Sequence, residues 1–211
     1  MFAKEGYPFI LVALVAFLII FFLPKGLLTF LSLVILALFL WFFRDPERDI
    51  PPFDEIAVSA ADGKVIDIAE TEFEGRTYNK ISVFMNVFNV HVNRMPVAGT
   101  ITGIRHKPGS FIPADRPDAG ERNEQNVIYV DTEYGPMIVK QIAGLVARRT
   151  VCYWNKGDKV SFGDRLGIIK FSSRVDLFLP KSFDIIVKNG DIVKAGETVI
   201  AKYNEKLDTD D

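Results

Sequence analysis

Two adjacent serines near the carboxyl end of the chain are well suited, by type and position, to nucleophilic chemistry. Ser172 and Ser173 lie between the apolar run 166–169 and an alternating segment, 174–179, that Pro180 ends. In that segment the Val and Leu residues would face one side of a strand, and Arg, Asp and Phe the other. A serine hydroxyl becomes a nucleophile when a neighbouring base takes its proton. The simpler alternative is a short loop that leads into a half-buried strand.

One histidine and one aspartate elsewhere in the chain could assist such a serine. His91 lies in the alternating segment 80–92, and Asp62 precedes Gly63 between two apolar segments. Their separation along the sequence is no obstacle, because catalytic sets are assembled in space. A lone histidine is nevertheless more often structural, and Asp-Gly is also the signal of a hairpin turn. A serine hydrolase that uses Ser173 with His91 is one activity left open.

The elements that must position these residues are mainly short strands. Segments 157–166 and 190–199 form an internal repeat, in which each copy reads as a turn, a short strand and a second glycine turn into an apolar strand. Such a pair resembles the lipoyl/biotinyl-type β-sandwich, or barrel-sandwich hybrid. We therefore expect a mainly β fold for residues 57–211, with a long polar loop at 113–126.

The first part of the chain, residues 1–43, predicts a membrane anchor of two helices. Apolar runs cover residues 9–23 and 27–43, and the intervening Pro-Lys-Gly is a turn signal. Neither run has a polar face, and each is somewhat short of the roughly 20 residues that cross a bilayer. We expect a retained helical hairpin that spans or dips into the membrane. A cleaved signal peptide fits poorly, because no small-residue cleavage site follows either run. Residues 44–56 are rich in proline and charge and indicate an extended linker.

Charge and cysteine content narrow the classes of function. The formal net charge of −2 argues against a nucleic-acid binder. Cys152 is the only cysteine, so it cannot form an internal disulfide, and with two distant histidines it does not suggest a zinc site. We therefore expect no metal. Arg44 and Arg48 follow the apolar runs, and the positive-inside rule places them in the cytoplasm.

Several segments together resemble the phosphatidylserine decarboxylases, in particular their short bacterial and archaeal form. Segment 171–176, Phe-Ser-Ser-Arg-Val-Asp, is similar to the family signature Phe-Gly-Ser-Arg-Val-Asp. Segment 59–63 is similar to Ser-Pro-Ala-Asp-Gly, and segment 88–96 to the family's histidine motif. A Glu-Arg-Asn segment and segment 141–149 match as well, so that the resemblance covers nearly all of residues 44–211 in collinear order.

This resemblance implies a pyruvoyl-dependent enzyme that makes its own cofactor. Ser173 takes the place of the serine that self-cleavage converts into a pyruvoyl group, which gives a β chain to residue 172 and an α chain of residues 173–211. Asp62 takes the place of an aspartate of the cleavage machinery, and His91 that of the motif's histidine. The expected reaction converts phosphatidylserine, or its archaeal ether-lipid counterpart archaetidylserine, to the ethanolamine lipid and carbon dioxide. We expect it at the cell membrane, with the decarboxylase domain, 57–211, on the cytoplasmic side.

Three positions depart from the family pattern, one of them Ala60, which stands where proline is usual in segment 59–63. Two arginines suit the substrate. Ser172 stands where the family has glycine, and because its Cβ restricts the backbone we predict slow or absent cleavage. Arg94 stands where longer members carry a second histidine of the cleavage triad, and an arginine cannot act as a base near neutral pH. Arg148 and Arg149 could bind the lipid phosphate, or they form a solvated basic pair.

Two further alternatives remain open from the sequence. The chain could be an uncleaved or inactive family member, or a non-catalytic lipoyl-like membrane module. The expected partners are a phospholipid substrate, the membrane, and the α and β chains of one precursor. A homo-oligomer is left open, and no nucleic acid is expected.

Overall fold

The computed structural model describes residues 1–23, 26–145, 150–170 and 173–208. The contacts within the chain divide it into two compact units, Met1–Glu47 and Arg48–Asp211, which we call unit 1 and unit 2.

Unit 1 is a pair of apolar helices. A short 3₁₀ turn at Lys4–Gly6 leads into α1 (Tyr7–Phe21), and α2 spans Leu27–Phe42. The start of α1 lies beside the end of α2, because the Ala3 amide donates to the Phe43 carbonyl at 2.9 Å and the Phe9 and Phe43 rings stack at 5.4 Å. The two helices therefore form the hairpin that the sequence predicts. Two of its turn residues, Pro24 and Lys25, lie outside the described residues.

The helices of unit 1 expose most of their apolar side chains. In α1 the buried residue is Ala13, and in α2 they are Ser32, Leu36 and Phe42. Among the described residues, one helix, Lys4–Phe21, is long and apolar enough to cross a bilayer by length and composition. α2 is apolar but shorter. Unit 1 thus has the composition of a membrane-associated segment.

Unit 2 is built mainly of strands. In chain order the described strands are β1 (Ile56–Val58), β2 (Gly63–Phe73), β3 (Arg76–Met85), β4 (Val92–Arg94), β5 (Gly99–Lys107), β6 (Gln125–Thr132), β7 (Gly135–Ala143), β8 (Thr150–Cys152), β9 (Lys159–Val160), β10 (Arg165–Ile169), β11 (Ser173–Leu179), β12 (Phe183–Ile185), β13 (Ile192–Val193) and β14 (Val199–Tyr203). Two short helices are α3 (Ala119–Arg122) and α4 (Glu205–Asp208).

Three antiparallel sheets surround one hydrophobic core. The largest is a curled sheet of eight strands in the order β13-β2-β3-β11-β7-β6-β5-β9. Two three-stranded sheets, β4-β10-β8 and β1-β14-β12, complete the enclosure. All three sheets contribute to the same buried cluster, for example through Val83, Leu166 and Ile200. The mainly β prediction is therefore confirmed.

Strand β11 occupies the centre of the large sheet, between β3 and β7. Val175, Leu177 and Leu179 pack into the main core, whereas Phe178 packs on the opposite face. The predicted alternation is correct, but the prediction of a half-buried strand is wrong, because every residue of β11 is buried. Part of the cover on the outer face is the segment around Gly120, which packs against Arg174 and Asp176.

The internal repeat of the sequence is also a repeat of structure. Strand β9 follows a glycine turn, and a second glycine turn joins it to β10. Strand β13 also follows a glycine turn, and a second one joins it to β14. The hydrogen bonds correspond as well, since the Gly157 amide donates to the Ile101 carbonyl and the Gly190 amide to the Val65 carbonyl, each at 2.8 Å. β9 pairs with β5 as β13 pairs with β2. Unit 2 thus contains two similar halves, and both contribute side chains to the core.

The Asp62-Gly63 step does not form the hairpin that its type suggests. β1 pairs with β14 and β2 pairs with β3, so the two strands that flank this step are not partners. Gly63 has a φ of 155°, and a Cβ at this position would overlap the Phe84 carbonyl. The glycine is therefore required by a close approach of two backbones rather than by a hairpin turn.

Candidate active site

One row of residues runs across the end of the large sheet. Ser173, the first residue of β11, pairs with Met85 on one side and with Ala143 on the other. Its side chain is fully buried, and its Oγ lies 4.0 Å from the Met85 sulfur. The residue that the sequence marks as reactive is thus the buried end of a central strand. This position restricts the conformations open to its backbone and hydroxyl.

A chain of buried amide side chains reaches the same methionine. Asn93 Nδ2 donates to the Met85 sulfur at 3.7 Å, and Gln141 Nε2 donates to Asn93 Oδ1 at 2.9 Å. Asn126 Nδ2 lies 3.5 Å from Gln141 Oε1. Sequence reasoning missed these residues, although Asn93 and Gln141 are uncharged polar residues within two of the matched segments. Because buried amides are costly unless bonded, the chain fixes the methionine that contacts Ser173.

His91 lies in the connection that leads from this row to β4. The connection begins at Met85, which pairs with Ser173, and Val92 at its end pairs with Ile168. The side chain of His91 is fully buried, and its Nδ1 is 2.9 Å from the Asn89 carbonyl oxygen. A carbonyl oxygen only accepts, so Nδ1 must carry the hydrogen. In the neutral ring the lone pair is then on Nε2, which is the nitrogen that can act as a base.

Asp62 is held by partners from distant parts of unit 2. Its Oδ1 accepts from Arg48 Nη2 at 2.8 Å and from the Ala195 amide at 2.8 Å. Arg48 also pairs with Glu197 at 3.4 Å. Burial acts to raise the pKa of Glu197, but the hydrogen bond from Lys194 and the charge of Arg48 together hold this pKa below its usual value. The aspartate is therefore a fixed carboxylate within an ion-pair cluster.

The three predicted residues lie towards the same end of the large sheet. β2 begins, β3 ends and β11 begins at this end, and Lys64, Phe84 and Arg174 form a row across the three strands. Asp62 comes directly before β2, two residues before this row, and Ser173 precedes the row on β11. Two strand spacings therefore separate their backbones, at least about 10 Å. His91 is in the connection that leaves β3 at the same end.

Replacing Arg48 with methionine tests the ion-pair cluster. The change leaves the Asp62 carboxylate with a buried charge and one partner fewer, and we expect it to lower the free energy of unfolding by about 3 kcal/mol. Chemical denaturation of the full chain measures this loss. Arg105→Gln is the matched control, because the Arg105–Glu74 pair is largely exposed and should contribute below about 1 kcal/mol. Equal effects of the two changes would contradict the assignment.

For several of the predicted positions, the structure describes no contact with Ser173. The Arg94 side chain is buried and donates to the Gly163 carbonyl at 3.3 Å, which is a structural contact. Ser172, Arg148 and Arg149 lie outside the described residues. Within the described ranges, no three His, Cys, Asp or Glu side chains come together as metal ligands do.

A buried ion pair lies on the face of β11 opposite the core. Arg174 and Asp176 form a bidentate pair, with Nε–Oδ1 at 2.6 Å and Nη2–Oδ2 at 2.9 Å, and Arg174 also donates to the Arg116 carbonyl at 3.2 Å. Lys140 donates to the Gly120 carbonyl at 2.9 Å, and burial lowers the pKa of Lys140 against the attraction of Asp176. These groups line a cleft of about 300 Å³. Because Ser173 faces the core, this cleft is not its opening; the ion pair attaches the covering segment to β11.

Comparisons with known proteins show matches over most of the chain. The family profile described as phosphatidylserine decarboxylase matches residues 35–201. A curated protein of Syntrophus aciditrophicus (strain SB), named phosphatidylserine decarboxylase proenzyme, is 45% identical over 206 residues, which cover 95% of this chain and 97% of that protein.

Proposed function

Because the chain belongs to the phosphatidylserine decarboxylase family, we propose that it decarboxylates phosphatidylserine with a pyruvoyl group that it makes from Ser173. The observation that carries the proposal is the position of Ser173, buried at the first residue of the central strand with His91 in the adjoining connection. Archaetidylserine, the ether-lipid counterpart, is the alternative substrate of the same class. The chain is an enzyme of the carboxy-lyase type.

The pyruvoyl group fits the described residues around Ser173. Cleavage before this residue makes it the first residue of the chain 173–211, and the ladders with β3 and β7 hold it in place after the bond is broken. Ser173 is fully buried beside the Met85 sulfur, and such a position suits a group of only three carbons. Such a group supplies a ketone carbonyl that binds the substrate amine and takes up the electrons that decarboxylation releases.

Self-cleavage can be written with the chain's own atoms. Ser173 Oγ attacks the carbonyl carbon of residue 172, the C–N bond breaks, and an ester forms while the hydroxyl proton passes to the nitrogen. Removal of the Ser173 α-proton then breaks the Cβ–Oγ bond, which releases residue 172 as a carboxylate and leaves a dehydroalanine. Water converts its amine into a carbonyl with loss of ammonia. His91 Nε2 is the proposed base, and Asp62 belongs to the same machinery.

The decarboxylation step requires a proton for the carbon that loses carbon dioxide. We assign this proton to His91, which then serves in both cleavage and catalysis, because Arg94 cannot take the second histidine's part. Arg148 and Arg149 are proposed to bind the lipid phosphate, since arginine presents two parallel donors to phosphate oxygens.

The purified protein should release carbon dioxide and phosphatidylethanolamine from phosphatidylserine, which tests the activity. Treatment with hydroxylamine should abolish this release, which tests the carbonyl group. Release that hydroxylamine leaves unchanged would refute the pyruvoyl part.

The finer fold proposed for residues 57–211 is the lipoyl/biotinyl-like barrel-sandwich hybrid. The two similar halves, each with a short strand after a glycine turn and an apolar strand after a second one, support it. Lipoyl and biotinyl carriers present a modified lysine between the two halves, and this chain has Ser172 and Ser173 between its copies. The proposed division is an anchor of residues 1–43, a linker of residues 44–56 and the decarboxylase domain.

The proposed location is the cell membrane, with the decarboxylase domain in the cytoplasm. The exposed apolar surface of α1 and α2 supports the anchor, and Arg44 supports the orientation. Protease added to intact spheroplasts should spare the decarboxylase domain and should digest it only after lysis. Digestion before lysis would place the domain on the other side.

Ser172 provides a direct test of the cleavage chemistry. A glycine before the scissile bond allows backbone conformations that a Cβ disfavours, so the natural chain should cleave slowly or not at all. We expect Ser172→Gly to speed the appearance of the chain 173–211 at least tenfold, as measured by intact mass over time. Ser59→Gly, a change at another buried serine, serves as the control and should give no increase. Rapid and complete cleavage of the natural chain would contradict the steric argument.

A further inference from the structure

Exposed apolar side chains gather at the end of the large sheet where Ser173 begins β11. Beyond Met85, β3 continues into a turn whose Val87 is 45% and Phe88 66% exposed. Beyond Ala143, β7 continues to Leu145, which is 62% exposed. The ends of β3 and β7 flank Ser173, because Met85 and Ala143 are its two partners in the ladder.

A fourth apolar side chain belongs to the same end. Phe111 is 37% exposed, and the neighbouring Ile112 exchanges two hydrogen bonds with Asn123, at 3.0 and 2.8 Å. Asn123 in turn donates to the Ala143 carbonyl at 2.7 Å. We call Val87, Phe88, Phe111 and Leu145 the apolar rim.

The segments that carry the rim have no charge. Residues 85–90, 109–113 and 142–145 contain neither acidic nor basic side chains, in a chain that is 25% charged. The turn that carries Phe88 also satisfies its own backbone. Asn89 Oδ1 accepts from the Asn86 amide and Asn86 Oδ1 from the Phe88 amide, each at 2.9 Å. A turn with paired backbone groups and an apolar tip can enter the edge of a bilayer at low cost.

We propose that the apolar rim is a lipid-contacting surface that inserts into the headgroup region of the bilayer at the end of the large sheet where Ser173 begins β11. The proposal rests on the proposed function, because the substrate is then a lipid whose serine headgroup lies at the membrane surface while Ser173 is fully buried. Aromatic and aliphatic side chains at an uncharged tip are the residues that partition into this interface. The rim would hold the active site against one lipid, and that lipid would not have to leave the bilayer for water.

Lipid quenching measures this insertion in the full chain. Three variants, Phe88→Cys, Leu145→Cys and Thr77→Cys, are each labelled with the fluorophore NBD. Their fluorescence is measured in vesicles of phosphatidylcholine and phosphatidylserine, with doxyl-labelled phosphatidylcholine as the quencher. Thr77 is the matched control, because it is exposed on β3 and lies roughly 26 Å from Met85 along the strand. Label on the half-buried Cys152 is measured in the unaltered chain and subtracted.

We expect at least twofold more quenching at positions 88 and 145 than at position 77. Equal quenching at the three positions would overturn the proposal. So would NBD self-quenching at position 88 that grows with protein density in vesicles without doxyl lipid, because a second copy of the chain would then cover the rim. The readout does not depend on activity. A chain that inserts its rim but releases no carbon dioxide would refute the proposed function alone.

A charged side chain introduced into the rim provides a kinetic test of the proposal. Phe88→Asp should raise the KM for phosphatidylserine in vesicles about tenfold, since a carboxylate resists transfer into the interface. Thr77→Asp should leave this KM unchanged. An unchanged KM in Phe88→Asp would count against the rim, provided that intact mass finds the same extent of cleavage as in the unaltered chain.

Discussion

Ser173→Ala should remain one chain of 211 residues and release no carbon dioxide from phosphatidylserine. Alanine lacks the oxygen that must attack the preceding carbonyl, so neither the ester nor the pyruvoyl group can form. Intact mass and a carbon dioxide assay on the same preparation measure both losses. The change removes one buried oxygen atom, and we expect the fold to survive it.

Ser82→Ala is the matched control for Ser173→Ala. Ser82 is also a fully buried serine, on the neighbouring strand β3, where it pairs with Asp176. Its replacement should leave cleavage and activity within about twofold of the unaltered chain. Decarboxylation by folded Ser173→Ala would contradict the assignment of the cofactor to this residue.

His91→Ala should lower both self-cleavage and decarboxylation by at least about a hundredfold, the usual contribution of a general acid or base. The Asn89 carbonyl fixes the tautomer that leaves Nε2 as the base, and alanine has no group to replace it. Because His91 is fully buried, thermal unfolding must accompany the kinetics, so that a loss of fold is distinguished from a loss of chemistry.

His106→Ala distinguishes the roles of the two histidines in the activity. His106 lies on β5, and its Nδ1 is 3.0 Å from Asn126 Oδ1, at the far end of the amide chain from Met85. Its replacement should reduce activity less than tenfold. Full activity in folded His91→Ala, or a larger loss in His106→Ala, would move the catalytic role away from His91.

Much of the fold could be predicted because local patterns agreed with the final packing. The alternation after Ser173, the glycine-turn repeat and the two apolar runs each correspond to an observed element. The burial of β11 on both faces could not be predicted, since the cover comes from the segment around Gly120, which is polar in sequence. The hairpin alternative at Asp62-Gly63 fails for a similar reason, because β1 takes its partner, β14, from the other end of the chain.

The sequence proposes candidate site residues, but it could not predict which side chains hold them in place. Asp62 is fixed by Arg48, which the sequence places in a linker and counts among the cations next to the membrane. In the structure the Arg48 side chain is only 5% exposed and belongs to unit 2. The role of Asn93 depends on Met85 and Gln141, which are brought to it by sheet register rather than by proximity in sequence.

Formation of the pyruvoyl group from Ser173 is best tested by following intact mass and activity together over time. The full-length mass should give way to two chains, residues 1–172 and residues 173–211, and the second should have a carbonyl in place of its amino group. Carbon dioxide release should rise in proportion to this second chain, slowly in the unaltered sequence and faster in Ser172→Gly. Decarboxylation by a protein that remains a single chain of 211 residues would refute a pyruvoyl group made from Ser173.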